Sequence, residues 1–109
     1  MKIIIGEKEF RIKLKEKLKG INARSVTGPG RSGSIASVYA SYFLNIPYIP
    51  YKQKCPEKLM PILIIDTARN TGRTLRKAKN VYGENSIKLY IFEEPPRIYF
   101  WYENIGDKK

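Results

Sequence analysis

Histidine is absent from this chain, and cysteine occurs once, at Cys55. Ser-His and Cys-His nucleophile pairs need an imidazole base, so those hydrolytic mechanisms are excluded. With no imidazole and one thiol there is no zinc cluster and no intramolecular disulfide, a usage that points to an intracellular setting. Cys55 lies in the polar stretch from Lys52 to Lys58 and reads as a bystander. Acidic residues are few, 10 against 21 Lys and Arg for a formal charge of +11, so a polyanionic ligand or partner is favoured. Long apolar runs are missing too: Met1-Lys2-Ile3-Ile4-Ile5 is too short and too soon charged for a signal peptide. No run approaches the roughly 20 residues a membrane span needs. The expectation is a cytoplasmic protein with no membrane partner, one domain over residues 1–109, without repeats or low-complexity linkers.

What is present is an alternation of apolar strands and amphipathic helices. Strands are expected at Lys2 to Ile5, Ala23 to Val26, Ile46 to Tyr51, Ile62 to Ile65 and Ile87 to Phe92. The third of these carries two prolines and so belongs at an edge or a strand end. Ser34 to Leu44 reads as a helix with Ile35, Val38, Tyr39, Tyr42 and Phe43 on its apolar face, and Thr74 to Tyr82 as one with Leu75, Ala78, Val81 and Tyr82 inward. Glu7 to Gly20 is open: Phe10, Ile12 and Leu14 alternate as in a strand, whereas Phe10, Leu14, Leu18 and Ile21 keep helical spacing. Strands alternating with helices imply an α/β fold with a mainly parallel sheet flanked by helices, and ligands of such sheets bind beyond the carboxyl ends of the strands.

Three segments carry chemistry. Ile62-Leu-Ile-Ile-Asp66 runs into Thr67-Ala68-Arg69-Asn70-Thr71-Gly72-Arg73-Thr74, a buried strand delivering a carboxylate, then a Thr- and Gly-rich loop whose amides and hydroxyls suit a phosphate at a helix N-terminus. A capped helix start is the plainer reading of that loop. Gly28-Pro29-Gly30-Arg31-Ser32-Gly33 admits three readings: a dinucleotide fingerprint, a pyrophosphate loop, or a tight strand-to-helix turn. The first lacks its ribose-binding acid, because no Asp or Glu occurs between Glu16 and Glu57. The aromatic run Tyr99-Phe100-Trp101-Tyr102 could stack a base or form a half-buried edge strand; adjacent residues of a strand face opposite ways, so Tyr99 and Trp101 are the base-stacking candidates.

In that order these segments resemble the type I phosphoribosyltransferases. Residues 62–74 are similar to the family's ribose-5-phosphate loop, residues 26–50 to its pyrophosphate loop with the helix and strand that follow, and residues 98–103 to the closing aromatic-acid segment of the purine-type members. The resemblance makes Glu7 to Gly20 a helix and implies a core with a reduced hood. It also implies substrate contacts from Asp66 through Thr74, pyrophosphate contacts at Pro29, Gly30, Arg31, Ser32 and Gly33, Mg2+ as cofactor with Asp66 as its one direct protein ligand, and a homodimer. Two departures fall on chemistry. Thr67 stands where the family has a second consecutive acid, and Asn70 where purine-type members carry an acid thought to act on the base. Asp66 and Asn70 are thus the catalytic positions, yet an amide cannot take a proton at neutral pH. The base-reading lysine is missing as well, Ile91-Phe92 running straight into Glu93-Glu94-Pro95-Pro96.

The expected function is transfer of a phosphoribosyl group between phosphoribosyl pyrophosphate and a nitrogenous base. Thr67, Asn70 and the small hood favour as an alternative a module that binds a nucleotide or phosphoribosyl ligand without turning it over. A basic nucleic-acid binder is the third reading.

Overall fold

The computed structural model describes residues 3–68, 73–93 and 98–104. A strand β1 (Ile3–Ile5) leads into α1 (Glu7–Leu18), β2 (Ser25–Thr27), α2 (Gly30–Leu44), β3 (Ile62–Ala68), α3 (Arg73–Tyr82), β4 (Ser86–Phe92) and β5 (Ile98–Phe100), with a 3-10 turn at Trp101–Asn104. The strands form two parallel sheets, one ordered β2-β3-β4 and the other pairing β1 with β5. The expected α/β architecture is what the chain adopts.

β3 is the axis of the molecule. Its Leu63 and Ile65 pack on the α1 and α2 side with Phe10, Val26, Ile91 and Phe100, while Ile62 and Ile64 pack on the α3 side with Leu75 and Ala78. A strand buried on both faces must be continuously apolar, which is why the Ile-Leu-Ile-Ile run has no alternation.

Within Glu7 to Gly20, Glu7–Leu18 is a helix. Phe10, Leu14 and Leu18 are buried along one stripe, and Ile12, which a strand would have placed with Phe10 and Leu14, is 53% exposed. Glu7 and Glu9 in the first turn and Lys15 and Lys17 in the last complement the helix dipole.

Four expectations are corrected. Ile46 to Tyr51 is not a strand: it makes a single parallel bridge, Val26 to Tyr48, through Val26 N–H to Pro47 O at 3.0 Å and Ile49 N–H to Val26 O at 2.8 Å. Pro47 and Pro50 have no N–H, so the ladder cannot propagate. In α2 the fully buried face is small, made of Gly33, Ala36, Ser37 and Ala40; of the expected stripe Tyr39 packs against the core, while Val38, Tyr42 and Phe43 are exposed. Small residues let the helix lie close on β2 and β3, and Tyr42 is left 83% exposed. In α3, Leu75 and Ala78 are buried, but Val81 is exposed. Finally, the aromatic run is a strand only through Phe100. The chain then turns, with the Phe100 N–H donating to Glu103 Oε1 at 2.8 Å, so the alternation that paired Tyr99 with Trp101 does not continue.

Candidate functional site

The carboxyl ends of β2 and β3 lie side by side, Thr27 pairing with Ile64, and the loop from Gly28 rises between them. A Cβ on Gly28 would stand 2.0 Å from the Gly33 carbonyl oxygen and 2.8 Å from that of Ile65. No side chain fits there, so glycine allows the loop to fold onto its own helix and onto the end of β3. Gly30 opens α2 at φ +71°, left-handed backbone that glycine adopts without strain. α2 begins at Gly30 rather than Ser34, with Pro29 as a cap that supplies no side-chain hydrogen bond. The first amides of a helix have no intrahelical acceptor. Those of residues 30–33 open beside exposed Arg31, in the Pro29 to Gly33 segment where the resemblance implied pyrophosphate contacts.

β3 runs three residues past its Ile62 to Ile65 run, so Asp66 and Thr67 are strand residues, Asp66 opposite Tyr90 on β4. Asp66 is half-buried and shares a face with Ile62 and Ile64, whereas Thr67 is buried on the other face. Burial raises the Asp66 pKa to about 6, and the Thr67 N–H donated to its Oδ1 at 2.8 Å offsets only part of that. No cation among the described residues pairs with it. Thr27, on the same face by the two-residue repeat and fully buried, has no partner for its Oγ1 among the described residues. Two underserved oxygens therefore stand at one corner of the sheet, where ligand hydroxyls could satisfy both.

Ala68 closes β3, and Arg73 and Thr74 open α3 as exposed residues. Arg69, Asn70, Thr71 and Gly72 lie outside the described residues. The structure thus brings together Asp66, Thr67 and the Pro29 to Gly33 segment. It does not bring Trp101 to them as a free ring: Trp101 packs edge-on against Phe10 at 5.4 Å and Tyr39 at 6.5 Å, within the α1 and α2 layer. Tyr99 is half-buried on β5. The aromatic residue that does reach the site is Tyr102, whose hydroxyl is 2.7 Å from Ser32 Oγ; burial raises its pKa, with the Ser32 hydrogen bond acting against it. Strand alternation hid this residue, and the signal that could have found it is Glu103, three residues after Phe100, where a side-chain carboxylate closes a turn.

No protein-family model and no curated protein matches the sequence. Solved structures do. The chain superposes with a TM-score of 0.77 on the xanthine-guanine-hypoxanthine phosphoribosyltransferase of Helicobacter pylori, at 14% identity over 94% of this chain and 93% of that one. A purine phosphoribosyltransferase of Pyrococcus horikoshii gives 0.66 at 21% identity over 92% and 93%. A hypothetical protein of Neisseria gonorrhoeae with bound ppGpp gives 0.64 at 17% identity over 92% and 81%.

The fold is that of a type I phosphoribosyltransferase. At these identities the likeness concerns architecture. Among the described residues no group of three His, Cys, Asp or Glu could hold a metal ion, and no helix is long and apolar enough to cross a membrane.

Proposed function

We propose that the chain binds phosphoribosyl pyrophosphate, or the purine nucleotide made from it, across the ends of β2 and β3, and transfers the phosphoribosyl group between pyrophosphate and a nitrogenous base. The observation that carries this reading is the half-buried Asp66, with no cation paired to it among the described residues, near the N-terminus of α2. The two suit the two ends of one ligand, a diol and an anion.

In this reading the amides of residues 30–33 hold the pyrophosphate, Arg31 adds charge, and Asp66 accepts hydrogen bonds from the ribose hydroxyls. The donor set fits Mg2+ as an ion brought by the ligand, since Mg2+ is commonly held by one carboxylate together with substrate phosphates and waters. Asp66 would be its protein ligand, and the ion when bound neutralises pyrophosphate charge. The described residues offer no second carboxylate beside Asp66 to act as a base, so this chain's own contribution to rate is positioning and electrostatic stabilisation.

A second reading, binding without turnover, is favoured by Thr67. It stands where the resembling family has a second acid, and it is buried rather than open to substrate. The neighbour with bound ppGpp supports a guanine nucleotide as the occupant in that case. Calorimetric titration with phosphoribosyl pyrophosphate, with and without Mg2+, followed by turnover with hypoxanthine, guanine and xanthine, tests both. Binding with nucleotide formation supports transfer, and binding without it supports the second reading. Failure of millimolar phosphoribosyl pyrophosphate or nucleotide to bind would refute both.

A further inference from the structure

The C-terminal turn reaches the mouth of α2 through one phenol. The Tyr102 ring is stacked on Phe100 at 5.6 Å with planes 4° apart, and lies edge-on to Trp101 at 5.0 Å. A ring held on two sides has little freedom to swing. Its hydroxyl meets Ser32 Oγ at 2.7 Å in the first turn of α2.

Two hydroxyls carry two protons. The bond between Ser32 and Tyr102 uses one of them, and the other is donated elsewhere. Which residue donates it depends on the direction of the bond. When Tyr102 donates to Ser32, the Ser32 proton is free at the mouth of α2, where the helix amides already favour an anion. A group that only accepts hydrogen bonds selects this direction, and a group that must donate opposes it.

On the phosphoribosyl reading above, we propose that Tyr102 is a positioning residue of the site: it orients the Ser32 hydroxyl so that the α2 mouth takes an acceptor-only diphosphate group. Tyr102 stands in for none of the missing acids; it sets the direction of one hydrogen bond at the α2 mouth.

The test compares binding of phosphoribosyl pyrophosphate, inorganic pyrophosphate and ribose 5-phosphate to the full chain and to Tyr102→Phe, Ser32→Ala and the double variant. Tyr102→Phe keeps the stacked ring and loses the hydroxyl. The expected result is about a tenfold loss for both pyrophosphate-bearing ligands, the size of one charge-assisted hydrogen bond, with ribose 5-phosphate unchanged. Ser32→Ala should give the same loss, and the double variant no more than either single one. Equal weakening of ribose 5-phosphate, additive losses, or unchanged pyrophosphate affinity would overturn the proposal. Should Tyr102→Phe not fold, Ser32→Ala makes the same three-ligand comparison. If the unaltered chain binds neither pyrophosphate-bearing ligand, the functional reading itself fails and this inference with it, an outcome distinct from binding that ignores Tyr102.

Discussion

Two residues set the terms of the site. Gly28 is one, because the atoms a side chain would meet there are backbone, which cannot swing aside. Gly28→Ala is expected to destabilise by about 3 kcal/mol, at the upper end of overpacking costs. Gly30→Ala, with open space around it but φ at +71°, should cost only about 1 to 2 kcal/mol. Thermal denaturation ranks the pair, and a milder effect at Gly28 would show that the loop has room to move. Asp66 is the other. Burial raises its folded pKa to about 6, above the unfolded value of about 3.9, so the folded state holds this proton more tightly. Its contribution is therefore fully present below about pH 4 and is lost as the pH rises through 6, up to about 3 kcal/mol at 1.36 kcal/mol per unit. Asp66→Asn should remove this slope and be the more stable form at pH 8. It should also weaken phosphoribosyl binding, and in the unaltered chain that binding should fall as the pH drops below 6. A flat stability profile between pH 4 and 7 would mean that Asp66 is well solvated.

At the scale of elements, α1 is tied to the C-terminal turn through one ring. Phe10 is fully buried and meets Tyr39, Phe100 and Trp101 edge-on at 5.3, 5.9 and 5.4 Å. Phe10→Ala should cost about 3 to 5 kcal/mol and shift the emission of Trp101, the chain's one tryptophan, to the red. A large loss of stability without that shift would separate α1 from the tail. What was legible in the sequence follows the same physics. β3 declared itself because burial on both faces demands an unbroken apolar run, and Asp66 stood out because a carboxylate at the end of such a run needs a partner. The face of α2 was misread: close approach to the sheet is governed by small residues such as Ala36 and Ala40, to which a search for large apolar side chains is blind. Pro47 and Pro50 hinted at a weak strand, but the failure of the ladder depends on which N–H groups β2 needs, a tertiary fact. The role of Tyr102 was hidden because a turn closed by Glu103 breaks the period on which strand reasoning rests.

At the scale of the whole molecule, charge decides between a compact ligand and a polymer. The chain has 21 basic and 10 acidic residues, and among the described residues the basic ones spread well beyond the strand ends. Arg73, Arg76, Lys77 and Lys88 line one shallow surface of α3 and β4, while α1 carries Lys8, Arg11, Lys13, Lys15, Lys17 and Lys19 on the other side of the sheet. Such a field concentrates anions of every kind near the protein and accelerates their capture, but it specifies none of them. On the proposed reading specificity comes from the corner where the α2 amides, half-buried Asp66 and the Thr27 hydroxyl, without a partner among the described residues, meet. The two contributions respond differently to salt. A nucleic acid held by 6 to 10 phosphate contacts loses about 10³ to 10⁵ in affinity between 50 and 200 mM salt, because it must release condensed counterions. A small phosphoribosyl ligand brings no such atmosphere. Its affinity is expected to change by less than about tenfold over that range, while any binding of random-sequence RNA collapses. Filter binding and calorimetry on one preparation make the comparison. RNA affinity that survives 200 mM salt and is not competed by phosphoribosyl pyrophosphate would place the function on the basic faces rather than at the strand ends.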